Sequence, residues 1–534
     1  MARVPAVATT SAVAAEAARR RTFAVISHPD AGKSTITEAL ALHAQVIGEA
    51  GAVHGKAGRR GVVSDWMAME QQRGISITSA VLQFAYRDLV INLLDTPGHA
   101  DFSEDTYRVL TAVDCAVMLL DAAKGLEPQT LKLFEVCRAR RIPVITFINK
   151  WDRPGNEPLA LLDEIEQRIN LRPTPITWPV GIAGQFHGVV DRRTGDMTAF
   201  HRTPGGATAA IEERLDPAEA ARRHGADWQR AVEELDLLTL TGADHDQDAF
   251  TAATTTPVLF GAAVANSGVR QLLDVLATHA PAPQARPDLT GRPRPVDAPF
   301  AGFVFKIQAN MNKAHRDQVA FVRVCSGRFT RGMTVSHAPT GRPFATKYAQ
   351  QMFGADRETI DEAYPGDVIG LVNATALRIG DTLYDDPPVT FPPLPSFAPE
   401  HFAVLRAADA GAFKRFRRGV EQLDAEGVVQ VLRSDRRGDQ APVLAAVGPM
   451  QFEVATARLE TEFGVTTRLE HLPYRATRRT DRGGEEALRG VTGAEVLVRA
   501  RDGALLALFT DDWRMRAISD RHRGLTLDPL LATS

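Results

Sequence analysis

Three observations in the 534-residue sequence predict a multidomain protein that opens with an α/β fold. From residue 22 to about 180, short β-branched runs alternate with helical periods, the pattern of a mostly parallel sheet with helices on both faces. The stretch SHPDAGKST, Ser27 to Thr35, sits between the first such run and the first helical period. Past a Pro-rich segment the pattern changes to short strands with Gly turns, and past a second one to mixed helices and strands. A chain of this length exceeds a single core, so about three domains are expected.

The elements follow in order. Residues 1–20, MARVPAVATTSAVAAEAARR, are centred on Ala and Thr rather than Leu and interrupted by Glu16, and read as a disordered tail, not a signal sequence. The first domain spans 21–284. Its candidate strands are Thr22 to Ser27, Leu89 to Asp95, Cys115 to Asp121 and Pro143 to Asn149, with a helix over Glu127 to Arg140. Residues 190–255 are polar and rich in Gly and Ala, with an acidic helical stretch WQRAVEELDLL, which reads as an insertion; PVLFGAAVANSGVRQLLDVLATHAP then supplies one more strand, a turn and a helix. Residues 285–299 are a linker, because their Pro content bars them from a sheet centre. Alternating runs such as GFVFKIQAN and GDVIGLVN predict a small closed β-barrel over 300–392. An α+β domain fills 393–534, with AFKRFRRGVEQLDAEG as a helix and APVLAAVG and AEVLVRA as strands.

Composition removes several classes of function. No apolar run approaches the roughly 18 residues of a membrane helix, so no membrane association is expected. The net charge of -3 gives no global pull toward nucleic acid, DNA included, and leaves RNA contact to local basic patches. Cys115, Cys137 and Cys325 show neither a C-x-x-C nor zinc spacing, and read as core residues of a reducing, cytoplasmic compartment.

The chemistry begins at the loop. SHPDAGKST fits a phosphate-binding turn between strand and helix, apart from Ser27, which stands where the general pattern has Gly. Backbone N–H groups of Asp30, Ala31, Gly32, Lys33 and Ser34 would ring the phosphates, at a helix N-terminus whose dipole favours anions. Lys33 adds charge over the β and γ oxygens, and Ser34 offers a hydroxyl to magnesium. The loop contributes Ser27, His28, Pro29, Asp30, Ala31, Gly32, Lys33, Ser34 and Thr35 as candidate nucleotide contacts.

Two further stretches narrow the ligand. LLDTPGHADF ends a strand with Asp95, whose carboxylate would hold a magnesium-shell water, and follows it with Thr96, Pro97 and Gly98, the last offering an N–H to a γ-phosphate. FINKWDR puts Asn149, Lys150 and Asp152 at the end of another strand, on the sheet edge where ligands bind. The Asp152 carboxylate would accept from guanine N1–H and the 2-amino group, a pair adenine lacks, and a buried carboxylate left unpaired penalises the wrong base. The ligand implied is GTP. In QQRGISITSA, Ser76 would reach magnesium if its loop closed over the γ-phosphate; otherwise it is an ordinary hydroxyl. His99, directly after Gly98, is a candidate for orienting the attacking water, with a surface or capping residue as the alternative.

Together these segments resemble the guanine-nucleotide domain of the translational GTPases. Within them, GFVFKIQANMNKAHRDQVAFVRVCSG, EAYPGDVIGL and AVGPMQFEV extend the resemblance to the bacterial class II release factors, the release factor 3 family, over nearly the whole chain from about residue 21. The resemblance implies GTP and GDP binding with Mg2+, contacts at Asp30 to Thr35, Asp95 to His99, Asn149, Lys150 and Asp152, and metal contacts from Ser34, Ser76 and Asp95. It implies a guanine-contacting turn at Ala262 and Ala263, where many GTPases have Ser-Ala, and a catalytic role for His99. It further implies a ribosome-stimulated GTPase of translation termination that removes class I release factors from the ribosome. Lys414, Arg415, Arg417 and Arg418, with Arg475, Arg478, Arg479 and Arg482, would supply a basic region for ribosomal RNA, or a solvated face. An elongation-factor-G-like translocase, a ribosome-binding module without essential turnover and an ATP-using enzyme are the alternatives.

Overall fold

The computed structural model describes residues 11–44, 81–201, 210–309, 318–353, 356–394, 397–434, 437–438, 440–522 and 524–530. Its first domain stands on a seven-stranded sheet. β1 (Arg20–Ser27), β3 (Leu89–Asp95), β4 (Cys115–Asp121), β5 (Val144–Asn149), the strand Thr255–Phe260 and β6 (Arg172–Pro175) are parallel neighbours, and β2 (Val81–Tyr86) adds antiparallel to β3.

The inner strands are apolar on both faces because both faces are covered. Successive side chains of a strand point to opposite sides. Along β1, Phe23 and Val25 join Ile36, Leu40, Leu272 and Leu276, whereas Ala24 and Ile26 join Leu110, Leu133 and Leu161. The first group lies on the helices Lys33–His43 and Val269–His279, the second on Ser103–Leu110, Pro128–Ala139 and Pro158–Ile169. Parallel strands all end on one edge, so Ser27, Asp95, Asp121 and Asn149 close their strands together there.

Two expectations are corrected. Residues 11–20 are not a disordered tail: Ser11 caps a helix over Ala12–Ala18, its Oγ accepting from Ala14 N at 3.1 Å, and β1 already begins at Arg20. Tertiary contact orders the segment. Arg20 is buried between Glu16 and Asp367 of the second domain, its Nε 3.2 Å from Asp367 Oδ2. The expected insertion carries a sheet beside its predicted helix and starts before residue 190. Strands Thr177–Val180, Gly188–Asp191, Met197–His201 and Ile211–Leu215 form an antiparallel sheet beside the helix Pro217–Leu240. Trp178, fully buried, donates from Nε1 to Glu234 Oε2 at 2.8 Å and pins that sheet to the helix.

Past the linker, where Arg286–Pro287 pairs with Pro293–Arg294, comes an eight-stranded antiparallel, barrel-like sheet with a core of Val304, Val322, Ile369 and Leu383. Its strand Ala301–Ala309 is buried throughout, since Val304 and Ile307 face that core while Phe303 and Phe305 join the core of the first domain. The third unit is an eight-stranded antiparallel sheet carrying the helices Phe413–Glu426 and Met450–Phe463, which meet through Phe416, Leu423, Phe452 and Leu459. Cys115, Cys137 and Cys325 are free and buried, and burial pushes the Cys137 thiol up to about 12. Among the described residues no helix is long and apolar enough to cross a membrane.

The seams between units differ in extent. The first and second domains meet through the apolar contacts of Phe303 and Phe305 and through polar groups: Thr22 Oγ1 donates to Gly366 O at 2.7 Å, Gln83 Nε2 to Asp367 Oδ1 at 2.9 Å, and Arg323 Nη2 to Asp114 Oδ2 at 2.6 Å. The first and third meet more narrowly, through Phe102 against Val454 and through Asp101 Oδ2, which accepts from Met450 N at 2.7 Å.

Candidate functional site

A cleft of about 510 Å³ opens on the carboxyl edge of the parallel sheet, lined by the Ser27–Thr35 loop, by Gly98 and His99, by Asn149, Lys150 and Asp152, and by Ala263. That volume falls within the range of about 300 to 1,000 Å³ typical of small-molecule sites. A larger cavity of about 1000 Å³ lies between the three domains, but its Arg108, Arg417 and Arg499 are already paired with Glu104, Glu421 and Asp502. Size alone therefore does not mark the site.

The loop is shaped by two backbone positions. Asp30 has φ 65° and Gly32, at the N-cap of the helix Lys33–His43, has φ 97°, the left-handed region that favours Gly. A Cβ at Gly32 would stand 2.5 Å from Asn149 Nδ2, so Gly also permits the close approach. Asn149 in turn frames the cleft: Nδ2 donates to Ala31 O at 2.8 Å and Oδ1 accepts from Ala263 N at 2.9 Å. The Ala263 N–H, expected to face the base, is thus held by Asn149, and a base oxygen arriving there would share the donor. Lys150 donates to Asp121 Oδ2 at 2.8 Å and to Asp30 O, closing the same end. Burial raises the Asp121 carboxyl, but the hydrogen bonds from Lys150 and Ala123 N outweigh it and hold the group below its usual value.

Two carboxylate oxygens mark the ends of the cleft. Asp152 Oδ1 is buried with no hydrogen-bond partner among the described residues. Asp95 Oδ2, beside Lys33, is buried and likewise lacks a partner among the described residues, while its Oδ1 accepts from Lys33 Nζ at 2.9 Å and from Thr96 N at 3.1 Å. An unpaired buried acceptor costs about 1 to 3 kcal/mol, so such atoms are explained by something that completes them. A guanine N1–H would complete the first, and a cation with its water shell the second. His28 Nε2 pairs with Glu127 Oε1 at 3.0 Å. His99 Nδ1 accepts from Asp101 N at 3.3 Å and lies 3.4 Å from Asp101 Oδ1.

Most residues read from the sequence line this cleft, from loops far apart in the chain, whereas Ala31, Asp95, Thr96, Pro97 and Ala262 lie behind its wall. Ser76 lies outside the described residues. Trp151, inside the NKWD stretch, does not reach the cleft: it is fully buried, edge-on to Phe260 with ring centroids 5.0 Å apart. Asp121 and Asp101 were passed over by sequence reasoning, although Asp121 ends a strand on the ligand edge and so carried a visible signal.

The comparisons with known proteins agree with this geometry. Residues 18–282 match the family model described as Elongation factor Tu GTP binding domain, 299–386 match Elongation factor G domain 2, and 391–519 match Class II release factor RF3, C-terminal domain. A crystal structure of a Thermus thermophilus protein superposes with a TM-score of 0.68 at 22% identity, covering 86% of this chain and 70% of that one, which supports the shared fold. Fold and cleft together define a translational GTPase, a protein that binds and hydrolyses GTP.

Over almost their whole length, proteins named peptide chain release factor 3 are similar to it: 48% identical in Trichodesmium erythraeum, covering 96% of this chain and 95% of that one, and 49% in Synechococcus elongatus, covering 95% and 92%. In Symbiobacterium thermophilum the identity is 47%, covering 95% and 97%. The chain belongs to the peptide chain release factor 3 family.

Proposed function

We infer that this protein is a ribosome-stimulated GTPase of translation termination that speeds departure of class I release factors after the peptide has been freed. The observation that carries the reading is the cleft with a buried carboxylate oxygen that lacks a partner among the described residues toward each end, Asp152 Oδ1 for the base and Asp95 Oδ2 for the metal, in a chain of this family. Guanine would be read by Asp152, with Lys150 and Asn149 holding the surrounding turns, and the phosphates would lie on the N–H groups of Asp30 to Ser34 beside Lys33. Ser34, Asp95 and, from its own loop, Ser76 would hold Mg2+, which when bound neutralises developing charge on the phosphate oxygens. His99, on the cleft wall beside Gly98, would orient the attacking water.

The third domain supports the ribosomal half of the reading. Lys414, Arg415, Arg417 and Arg418 are exposed on one side of the helix Phe413–Glu426, whose other side buries Phe416, Val420 and Leu423. Arg475, Arg479 and Arg482 are exposed and Arg478 is half-buried. Such a face suits RNA phosphates without requiring base contacts. The sequence holds no Gly-Gly-Gln tripeptide with which to hydrolyse peptidyl-tRNA itself, and we take the protein to work in the cytoplasm without membrane or DNA partners, as a translation factor would.

The test follows a fluorescent class I release factor on post-termination ribosomes, with GTP or ATP, alongside nucleotide cleavage with and without ribosomes. Faster departure with GTP alone and ribosome-dependent cleavage are expected. A factor that leaves no faster with this protein and GTP than without would overturn the assignment, and equal use of ATP would overturn the role of Asp152.

A further inference from the structure

The contact between Asp101 and the third domain extends the reading of His99 given above, on which it rests. Asp101 stands two residues past His99 on the short turn Ala100–Phe102 and touches it twice, by its backbone N–H to Nδ1 at 3.3 Å and by Oδ1 at 3.4 Å. Its second oxygen, Oδ2, accepts from Met450 N at 2.7 Å, across 349 residues of sequence. Met450 opens the 14-residue helix Met450–Phe463, which has no side-chain cap of its own from Pro449. The first N–H groups of a helix lack intrahelical partners, and here one of them is satisfied by a carboxylate of another domain, at the end where negative charge is favoured. Phe102, the next residue, is buried against Val454 of the same helix.

The approach depends on Gly448. A Cβ there would stand 2.1 Å from Asp101 Cγ and 2.3 and 2.4 Å from its oxygens, so any other residue evicts the carboxylate. Gly448 does not have the positive φ that would itself demand Gly. Close packing is what this position requires.

We propose that Asp101 is a positioning residue that ties the ring of His99 to the N-terminus of the helix Met450–Phe463, so that the seat of the third domain on the first sets where His99 stands in the cleft. With Nδ1 turned to the backbone and carboxylate of Asp101, Nε2 is the ring atom left for the cleft. A shift of the third domain pulls on Asp101 and Phe102 together, and thereby on the turn that bears His99.

Gly448→Ala tests this without removing any hydrogen-bonding group. On saturating ribosomes it is expected to lower single-turnover GTP cleavage about 10- to 100-fold, since misplacement by about 1 Å costs up to that much. GTP affinity of the same samples, which rests on the Ser27–Thr35 loop and on Asn149, Lys150 and Asp152, none of which touches Asp101, is expected to stay within about twofold while the carboxylate is displaced. Asp101→Ala is expected to match it, and Asp101→Asn, which keeps an acceptor for Met450 N–H, to lose less. The double variant His99→Ala with Gly448→Ala is expected to be no slower than His99→Ala alone, because coupled residues do not add. If Gly448→Ala and Asp101→Ala cleave like the parent while His99→Ala is slow, the coupling is wrong and the reading of His99 stands. Should His99→Ala itself cleave like the parent, the role of His99 fails and the coupling with it.

Discussion

At the base end of the cleft, Asn149 joins the phosphate loop to the Ala262–Ala263 turn, and Lys150 is held by Asp121 and the Asp30 carbonyl, all within the first domain. The phosphate end is held differently: Lys33 and Asp95 form a buried pair, but His99 stands on a turn whose anchor, through Asp101, lies in the third domain. The contrast suits a switch. A base has to be recognised in every state of the protein, so its frame is local and over-determined. Hydrolysis has to be conditional, so the group proposed to orient water is tied to an element that can move relative to the nucleotide.

The strongest challenge to this contrast is to remove the buried cation. Lys33→Met leaves Asp95, fully buried, without its charged partner. Breaking one half of a buried pair costs about 3 to 5 kcal/mol, and a denaturant titration of the nucleotide-free protein is expected to read a loss of that order. A loss under about 1 kcal/mol, the value of an exposed pair, would mean that Lys33 and Asp95 are not coupled in solution.

His99→Ala separates hydrolysis from binding at the same end. Losing a preorganised group typically costs about 10²- to 10³-fold, or roughly 2.7 to 4 kcal/mol of barrier. Single-turnover cleavage on ribosomes is expected to fall by that factor while GTP titrations are unchanged; cleavage within about threefold of the parent would return His99 to an ordinary capping residue.

At the base end, Asp152→Asn is expected to weaken GTP and favour xanthosine triphosphate, whose 2-oxo group accepts where guanine donates. Loss of a charge-assisted pair is worth about 1.5 to 3 kcal/mol, or roughly 10- to 100-fold in affinity. An unchanged preference between the two nucleotides would remove Asp152 from the base site.

The mildest test touches the join between the two ends. Gly32→Ala introduces a Cβ in the left-handed region, at about 1 to 2 kcal/mol, and crowds Asn149 Nδ2 at 2.5 Å. GTP and xanthosine triphosphate are both expected to bind more weakly by a similar factor, because the frame rather than a base contact is disturbed. A selective loss of one nucleotide would show that Gly32 acts at the base alone.

Four strands of the first domain were legible because each is a short apolar run whose last residue is polar. Ser27, Asp95, Asp121 and Asn149 end their strands in the structure where the sequence ended its runs. Parallel strands must all deliver their ends to one edge, so reading the ends brought Ser27, Asp95 and Asn149 together, although Asp121, which ends its strand there too, was passed over. The helix over Ala12–Ala18 was not legible, since what orders it is Arg20 reaching Asp367 across 347 residues. The polar segment after residue 190 hid a sheet anchored by Trp178, upstream of the apparent boundary.

The sequence by itself determined the ligand chemistry, because phosphate and guanine recognition use backbone turns and carboxylates at spacings set by local geometry. It determined the order of fold types as well, since side-chain periodicity is a local property. Tertiary structure alone decided which groups hold the binding residues: that Asn149 spans Ala31 and Ala263, that Asp121 holds Lys150, and that Asp101 caps a helix in another domain. Those contacts join residues up to hundreds of positions apart, and no local pattern encodes them. They depend on where whole domains pack, and that is settled by complementary surfaces such as the absent side chain of Gly448, which lets the Asp101 carboxylate reach the helix.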